Sequence, residues 1–410
     1  MFINPVSPTH SSKIFFSYFL LLPFCFIFSS SFAASQQIAE ISGEVEKIKY
    51  KQFVNDNLRE TKLENFDINK ASGALVLNNG KEKIAVSRWI SPKRTRSYPY
   101  ERVYDTLAFP KRVTIIPVLK DEGLGGERDF LQWDTISLLS LLDVHVILAY
   151  YNDATKNAKR ADQITAQKLD NNYVLARLNE VFDFKGSARE WNERETKELK
   201  NVFEKAKLAY RDISKNTKTY LHDEAALNEL IKYTETPQKF IEFSRRKSQN
   251  AQIREQQTKQ PKEALATDTK QNITITNALF GKYFFTVDET RLEPKTVYLI
   301  EAKHSQRSKF THENDIKDAL VKMMVYTNLK NVRVSNEKRD FRVVLKLTTS
   351  RLNGSIDSSA SDEELNKYCS ENLLDFKQKE FIKKLFTEAR TNNFTIIIEK
   401  AETKNRSKSD

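Results

Sequence analysis

The C-terminal half of the chain alternates between runs with a period of two and segments with helical spacing. Three strand-like runs, NITITNALF, GKYFFTVD and TVYLIEAK, follow one another within residues 272–303. A helical segment over 221–243 precedes them, and a helix over 314–329 follows, with Asn314 as its expected N-cap. An alternating strand over 341–349 closes the unit. The predicted order is therefore α-β-β-β-α-β. The residues that recur on one face of the second helix are Ile316, Leu320, Met323 and Thr327.

The N-terminal part, residues 36–151, has the pattern of a mixed α/β region. Two β-rich runs flank the sequence Asn78-Asn79-Gly80, which is typical of a hairpin turn. Residues 111–119 and 144–151 are rich in β-branched residues and are predicted to be two further strands. A short buried helix is expected between them, with Asp134 as its N-cap. The fold class predicted for the chain is α/β with a mixed sheet.

Three further segments differ in composition from these regions. Residues 152–220 carry apolar stripes with helical spacing around a Gly-Ser loop, so a helical insert is predicted there. Residues 245–272 are rich in Gln and Lys and nearly lack apolar residues, which is typical of a mobile linker. Residues 401–410 are predicted to be a frayed tail.

Residues 1–35 have the character of a leader. The apolar run at 14–28 is too short for a spanning helix, fits a signal peptide, and is followed by the small residues SSSFAAS. Only Lys13 supplies positive charge before it, so a translation start placed too far upstream is the alternative. The next methionine is Met323, so a later start would need another codon. We expect the second interpretation, and with it a cytoplasmic protein; the alternative, a true signal peptide, predicts export.

The net charge of the chain is +12, from 67 Lys and Arg against 55 Asp and Glu. This surplus favours a polyanionic partner such as nucleic acid, although a Lys-rich composition without any such partner gives the same number. The two cysteines, Cys25 and Cys369, and five dispersed histidines offer no metal-ligand spacing. They exclude a structural zinc site and a disulfide framework.

The stretch VYLIEAK, residues 297–303, ends in an acid and a base. Glu301 and Lys303 share a face because side chains alternate along a strand, and a hairpin would bring Asp288 of the preceding strand beside them. Two carboxylates can hold Mg²⁺, with the backbone carbonyl of Ala302 as a third ligand. Lys303 could then orient or deprotonate a metal-bound water. The alternative is a structural ion pair between Glu301 and Lys303.

These residues and the order of elements around them resemble the PD-(D/E)XK nuclease superfamily, and most closely the type II restriction endonucleases. The resemblance covers residues 221–400 and implies a restriction-endonuclease-like core. It implies metal ligands at Asp288 and Glu301, a catalytic Lys303, Mg²⁺ as cofactor, and hydrolysis of phosphodiester bonds in double-stranded DNA, often by a homodimer. The family often has Pro before its Asp, where this chain has Val287. Glu242, on the preceding helix, matches a position that sometimes adds a ligand.

Other residues compete for these roles. Asp129 and Asp134 could supply the metal-binding carboxylate in place of Asp288, or serve only in a turn and an N-cap. The glycine-rich stretch at 123–128 is not followed by the Lys-Ser/Thr of a phosphate-binding loop, so nucleotide binding is not supported.

The segment 91–102 is the candidate nucleic-acid-binding patch, because it interleaves basic with aromatic residues. A solvated basic loop with no ligand is the alternative. The residues predicted to contact nucleic acid are Lys93, Arg94, Arg96, Tyr98, Tyr100 and Arg102.

Three functional hypotheses follow from the sequence. The first is a Mg²⁺-dependent endodeoxyribonuclease of the type II restriction class, which recognises DNA through its N-terminal region. The second is a non-catalytic nucleic-acid-binding protein on a degenerate nuclease fold. The third, tied to the leader, is an exported nonspecific nuclease.

Overall fold

The computed structural model describes residues 40–55, 57–93, 99–257, 269–279 and 281–401, all within one compact unit. The predicted leader and the predicted tail beyond Ala401 lie outside the described residues. Within them, no helix is both long and apolar enough to cross a membrane.

The first half of the chain contains ten strands and five helices, apart from a short 3-10 turn at Leu63–Asn65. In chain order they are β1 (Ile41–Val45), β2 (Glu60–Lys62), β3 (Ala74–Asn78), β4 (Lys83–Arg88), α1 (Pro99–Thr106), β5 (Arg112–Pro117), β6 (Leu119–Asp121), β7 (Arg128–Phe130), α2 (Trp133–Leu141), β8 (His145–Ala149), β9 (Tyr151–Lys156), β10 (Ile164–Leu169), α3 (Asn171–Asp183), α4 (Ala188–Lys197) and α5 (Leu199–Thr217).

The second half begins with two helices and continues through alternating strands and helices. In chain order they are α6 (Glu224–Tyr233), α7 (Pro237–Gln257), β11 (Thr269–Asn277), β12 (Lys282–Leu292), β13 (Thr296–Ser305), α8 (Glu313–Tyr326), β14 (Lys330–Val334), β15 (Glu337–Lys338), β16 (Asp340–Thr349), β17 (Ser355–Asp357), α9 (Asp362–Glu371), α10 (Phe376–Thr391) and β18 (Thr395–Lys400).

A five-stranded mixed sheet organises the N-terminal region, in the order β2-β3-β4-β5-β8. The predicted hairpin is confirmed: β3 and β4 are antiparallel, and Gly80 takes a positive φ of 89° in the turn. Strand β8 is buried along its whole length and pairs in parallel with β5, as expected for continuous apolar runs. The mixed α/β class predicted for the chain is confirmed.

A nine-stranded sheet organises the C-terminal region, in the order β15-β14-β1-β11-β12-β13-β16-β18-β17. Strands β11, β12 and β13 are antiparallel neighbours, whereas β13, β16 and β18 run parallel. The helix before β11 is α7 and the helix after β13 is α8, as the sequence predicts. The short strands β14 and β15, which intervene before β16, were not predicted, because residues 330–338 are mostly charged or polar.

Two segment predictions are wrong in part. The predicted helical insert begins with an antiparallel hairpin of β9 and β10, and its helices are three in number. Strand β9 was missed because its sequence, YNDATK, exposes four of six residues and so lacks apolar alternation. The predicted linker is helical over its first part, since α7 continues to Gln257, and extended from Thr269 onwards. Residues 258–268 lie outside the described part.

Two predicted N-caps are also wrong. Helix α2 begins two residues earlier than expected, with Gln132 at the N-cap, and Asp134 lies within its first turn. There the Oδ1 atom of Asp134 accepts a hydrogen bond from the Lys282 backbone N–H at 3.2 Å. Helix α8 has His312 at its N-cap, and the His312 ring accepts a hydrogen bond from the Asn314 N–H.

Helix α1 packs against helix α8 and so joins the two sheets. Lys317 of α8 is 1% exposed, and its ammonium lies 2.8 Å from Asp105 of α1 and 3.0 Å from Glu313. The same helix places Tyr326 edge-on against Phe285 of β12. These contacts fix α8 over the middle of the nine-stranded sheet, where the candidate site lies.

Candidate active site on strands β12 and β13

Asp288 and Glu301 lie where the pairing of β12 with β13 ends. The paired residues run from Leu292 with Val297 to Glu289 with Ile300, one position short of the two acids. Both acids are inside their strands and not at strand ends as predicted, because β12 continues to Leu292 and β13 to Ser305.

A β-bulge in β12 lies at the same place. The pairing of β11 with β12 passes from Thr269–Thr290 to Gln271–Val287, so β12 carries one extra residue at 288–289. A bulge interrupts the alternation of side chains and re-aims one of them. We attribute the direction of the Asp288 side chain, towards Glu301 and Ala302, to this bulge.

Glu301 is a fully buried carboxylate with two different oxygens. Its Oε1 atom lies 2.7 Å from the ammonium of Lys322 and 3.1 Å from that of Lys303. Its Oε2 atom is buried and has no hydrogen-bond partner among the described residues. Burial by itself would raise the pKa of Glu301, but the charges of Lys322 and Lys303 outweigh it and lower that pKa. The group is therefore an ionised carboxylate with one unsatisfied oxygen.

Asp288 is half-buried, and its Oδ2 atom accepts a hydrogen bond of 3.0 Å from the Ala302 backbone N–H. Burial is the main cause that raises the pKa of Asp288 to about 6, and the negative charge of Glu301 is the second. The two carboxyl groups therefore share one electrostatic environment, as the sequence predicts for a pair that a cation would stabilise. The structure brings Asp288, Glu301 and Lys303 together.

Two residues of helix α8 belong to the site and were missed from the sequence. Lys322 holds Glu301, and Asp318 lies one turn earlier with its Oδ2 atom 4.0 Å from the Lys303 ammonium. Burial lowers the pKa of Lys322, but the adjacent Glu301 carboxylate outweighs burial and raises it. Lys322 interrupts the apolar run Ala319–Val325, and a lysine at such a position signals a buried acidic partner.

The carboxylates of Asp288 and Glu301 are the side chains of this site that could bind Mg²⁺. Across the described residues, no group of three or more His, Cys, Asp or Glu side chains is arranged to hold a metal ion. A site with two carboxylates falls below that number, and Mg²⁺ commonly binds through one or two carboxylates while it keeps several waters. The unsatisfied Oε2 atom of Glu301 is an acceptor that such a cation would satisfy. Asp288 and Glu301 therefore fit Mg²⁺ as a two-carboxylate site.

The competing acids lie elsewhere. Asp129 is buried and accepts a hydrogen bond of 2.8 Å from the Ser91 hydroxyl, and Asp134 accepts the one from Lys282. Glu242 is exposed on α7 and accepts a hydrogen bond from Gln238, one turn before it. Among the described residues, none of the three joins Asp288 and Glu301 in a group of three or more metal-ligating side chains, so none completes the pair.

Of the predicted nucleic-acid-binding patch, the structure describes Lys93, Tyr100 and Arg102. Lys93 is exposed, with Glu127 at 3.8 Å from its ammonium. Tyr100 is 4% exposed and packs edge-on against Trp89, so the prediction that it stacks on nucleic acid is wrong. Arg102 is half-buried and donates to the Arg88 carbonyl at 2.8 Å, because α1 folds it onto the sheet. Arg94, Arg96 and Tyr98 lie outside the described residues.

No protein-family model, curated protein or solved structure matches this chain.

Proposed function

We propose that this chain is a Mg²⁺-dependent endodeoxyribonuclease of the type II restriction class, with a PD-(D/E)XK core over residues 221–400. The observation that carries the proposal is the buried, unsatisfied Oε2 atom of Glu301, which lies beside Asp288 and Lys303. A structural ion pair would not need a second carboxylate turned towards it by a bulge. An ion pair also leaves no reason to bury a bare carboxylate oxygen, which costs about 1–3 kcal/mol.

The side chains have distinct roles in this proposal. Asp288 and Glu301 would hold Mg²⁺, which when bound stabilises charge on a phosphoryl group and lowers the pKa of a water. The side chain of Lys303 is 21% exposed. Its ammonium can therefore reach a water or a phosphate oxygen while the ammonium stays near Glu301. Lys322 keeps the Glu301 carboxylate in place through Oε1, which leaves Oε2 for the cation.

The fold supports the proposal through its order of elements. Helix α7, the antiparallel strands β11 to β13, helix α8 and the parallel strand β16 follow one another in the α-β-β-β-α-β order expected of such a core, with the short strands β14 and β15 inserted before β16. Two such sites can cut both strands of a duplex in one encounter, as in the restriction enzymes that the site resembles, so we propose a homodimer as the active form. The mass of the chain in solution, measured by light scattering, tests that form.

The test of the activity is cleavage of plasmid and phage DNA in Mg²⁺ and in EDTA. The wild-type chain is compared with Glu301→Gln and Lys303→Met, and with the matched control Glu289→Gln. Glu289 is the next acid along β12, and its partner is the Lys346 ammonium at 3.3 Å, not either of the lysines that hold Glu301. We expect wild type and control to cut in Mg²⁺ only, and the two site variants to bind DNA without cutting.

The pattern of products separates the forms of the proposal. A discrete set of fragments indicates restriction, and a smear indicates the nonspecific nuclease considered above. The proposal fails if the wild-type chain cuts neither DNA across a broad panel of substrates, or if the site variants cut as well as wild type.

One observation favours a non-catalytic alternative, a nucleic-acid-binding protein on a degenerate nuclease fold. The ammonium groups of Lys322 and Lys303 already balance the charge of Glu301 without a metal. Calorimetric titration with Mg²⁺ and Mn²⁺ decides between the two. A nuclease requires cation binding that is lost in Asp288→Asn, whereas the alternative predicts no binding that depends on Asp288.

A further inference from the structure

The turn between helices α9 and α10 exposes two large apolar side chains. Leu373 is 80% exposed and Phe376 is 75% exposed, and only three positions separate them. Neither side chain contributes to the core, although other apolar residues in this part of the chain are buried. Exposed apolar side chains that lie together are a feature of partner contacts, and their surroundings decide which partner they fit.

The backbone of this turn gives no reason for a leucine. Leu373 has a φ of 51°, and its N–H bonds to the Ser370 carbonyl while the Leu374 N–H bonds to the Cys369 carbonyl. This is the motif that ends helices with glycine or asparagine at the left-handed position, where a larger side chain is strained. Neither burial nor backbone conformation therefore accounts for a leucine at 373.

The turn is tied to the loop that leaves the candidate active site. The Lys309 ammonium donates to the carbonyls of Asn372 at 3.0 Å and Leu373 at 2.7 Å. The loop is held in turn by Thr349, whose hydroxyl donates to the Ser308 carbonyl at 2.7 Å. Lys309 follows Lys303 by six residues, a span of at most about 20 Å. The apolar pair and the site therefore lie within reach of one ligand the size of a duplex.

The surroundings of the pair are cationic. Residues 304–312 and 371–384 together carry six Lys or Arg and three Asp or Glu. Lys379 and Lys383 follow Phe376 at the spacings that place them on the same face of α10. Arg307 and Lys377 are exposed. Apolar side chains within a cationic rim complement a polyanion that also offers apolar flat surfaces, and nucleic acid has this chemistry.

We propose that Leu373 and Phe376 form an apolar wedge that enters a groove of duplex DNA, while the surrounding cations hold its phosphates. The wedge displaces or unstacks bases beside the position that Lys303 faces. This inference rests on the proposed function for its choice of ligand, but it concerns binding and base stacking and needs no cleavage.

The test is binding of the full chain, in EDTA, to mixed-sequence duplexes that carry 2-aminopurine. Anisotropy gives affinity, and 2-aminopurine fluorescence reports base unstacking. The test variant is the double substitution Leu373→Asn and Phe376→Ser, in which Asn is chosen because it tolerates the left-handed backbone. The matched control is Leu124→Asn with Tyr220→Ser. These two residues are 56% and 81% exposed and adjacent, since the Leu124 N–H donates to the Tyr220 carbonyl.

We expect the test variant to lose about tenfold or more in duplex affinity and to lose the rise in 2-aminopurine fluorescence. The control pair should stay within about twofold of wild type. The double substitution Arg307→Ser and Lys377→Ser should instead reduce the salt dependence of binding. The slope of log affinity against log salt concentration should fall by about one unit for each cation removed.

Two results would overturn the wedge. One is a test variant that binds and unstacks duplex DNA as wild type does. The other is a test variant whose mass by light scattering falls to that of a monomer while its DNA affinity per chain is unchanged, since the pair would then be a contact between copies. Plasmid cleavage by wild type, together with unchanged duplex binding and base unstacking in the test variant, would leave the nuclease proposal intact and remove only the wedge. If the wild-type chain never cuts DNA and the test variant loses duplex binding, the wedge stands and the nuclease proposal fails.

Discussion

Two glutamates of the C-terminal region are completely buried, Glu301 on β13 and Glu388 on α10, and their surroundings differ. Glu388 accepts hydrogen bonds from neutral donors on both oxygens, at 2.7–2.9 Å. Its donors are the hydroxyls of Tyr50 and Tyr104 and the backbone N–H groups of Phe53 and Val54. Glu301 has two ammonium groups on one oxygen and none of the described groups on the other.

Burial alone does not distinguish a structural carboxylate from a functional one. Burial raises the pKa of Glu388, and its hydrogen bonds only partly offset the effect, whereas the two lysines lower the pKa of Glu301. A carboxylate whose donors are complete fixes the chain, here the segment Tyr50–Val54 against α1 and α10. A charged carboxylate with an unsatisfied oxygen is arranged to take up a further ligand.

The largest effect is expected from Glu301→Gln. Cleavage should fall about a thousandfold, because the substitution removes the charge that would hold the cation. The unfolding free energy should also fall, by about 3 kcal/mol, because the largely buried ammonium groups of Lys303 and Lys322 lose their buried charged partner. Single-turnover cleavage and urea unfolding measure the two quantities. A large loss of stability with unchanged activity would make Glu301 the structural residue of the pair.

Glu388→Gln is expected to lower stability without lowering the cleavage rate. The amide nitrogen cannot accept the hydrogen bonds that reach one carboxylate oxygen, and each buried donor left unsatisfied costs about 1–3 kcal/mol. We expect the unfolding free energy to fall by about 2–4 kcal/mol, while the folded fraction cuts DNA at the wild-type rate. Urea unfolding monitored by circular dichroism gives the first value. An unchanged midpoint would contradict the structural role.

The pH dependence of stability tests Asp288. Its pKa lies near 6 in the folded chain, above the ordinary value of 3.8, so the folded state holds this proton more tightly than the unfolded state does. Stability in EDTA should therefore be greatest below pH 4 for this group and fall by about 3 kcal/mol as the pH rises through 6. Unfolding in urea at pH 4.5, 6 and 7.5 measures the fall.

Asp288→Asn is the control for this prediction, because it keeps the shape and removes the titration. The difference between wild type and variant isolates the contribution of Asp288 from that of the other titrating groups. Addition of Mg²⁺ should restore wild-type stability above pH 6, where the carboxylate is ionised, and leave the variant unchanged. Parallel stability curves for the two chains would show that Asp288 titrates normally.

The smallest effect is expected from Tyr104→Phe. This substitution removes one hydroxyl donor to Glu388 and leaves the ring packed, so the expected loss is about 1 kcal/mol. Urea unfolding measures it, and Tyr368→Phe, on α9 away from Glu388, is the control. A loss as large as that of Glu388→Gln would show that the tyrosine alone, and not the set of donors, holds the carboxylate.

The local pattern of apolar and polar residues predicted most of the strands and helices near the site. Strands β11, β12, β13 and β16 and helix α8 follow from alternation and helical spacing, and so does the shared face of Glu301 and Lys303. Strand β9 and the linker prediction failed because their residues are polar and only their neighbours make them regular. The N-caps at Gln132 and His312 were missed because neither is a preferred capping residue that propensity would select.

The sequence by itself determined the mixed α/β class, the strand that carries Glu301 and Lys303, and the absence of a disulfide framework. These properties depend on the period of apolar residues and on composition, which are local. The tertiary structure decided which acid faces Glu301, because the bulge in β12 turns Asp288 towards it. It also decided that Lys322 reaches Glu301 from α8 and that Leu373 is exposed beside Lys309. Such contacts join residues that are distant along the chain, and only packing of the sheet against its helices fixes them.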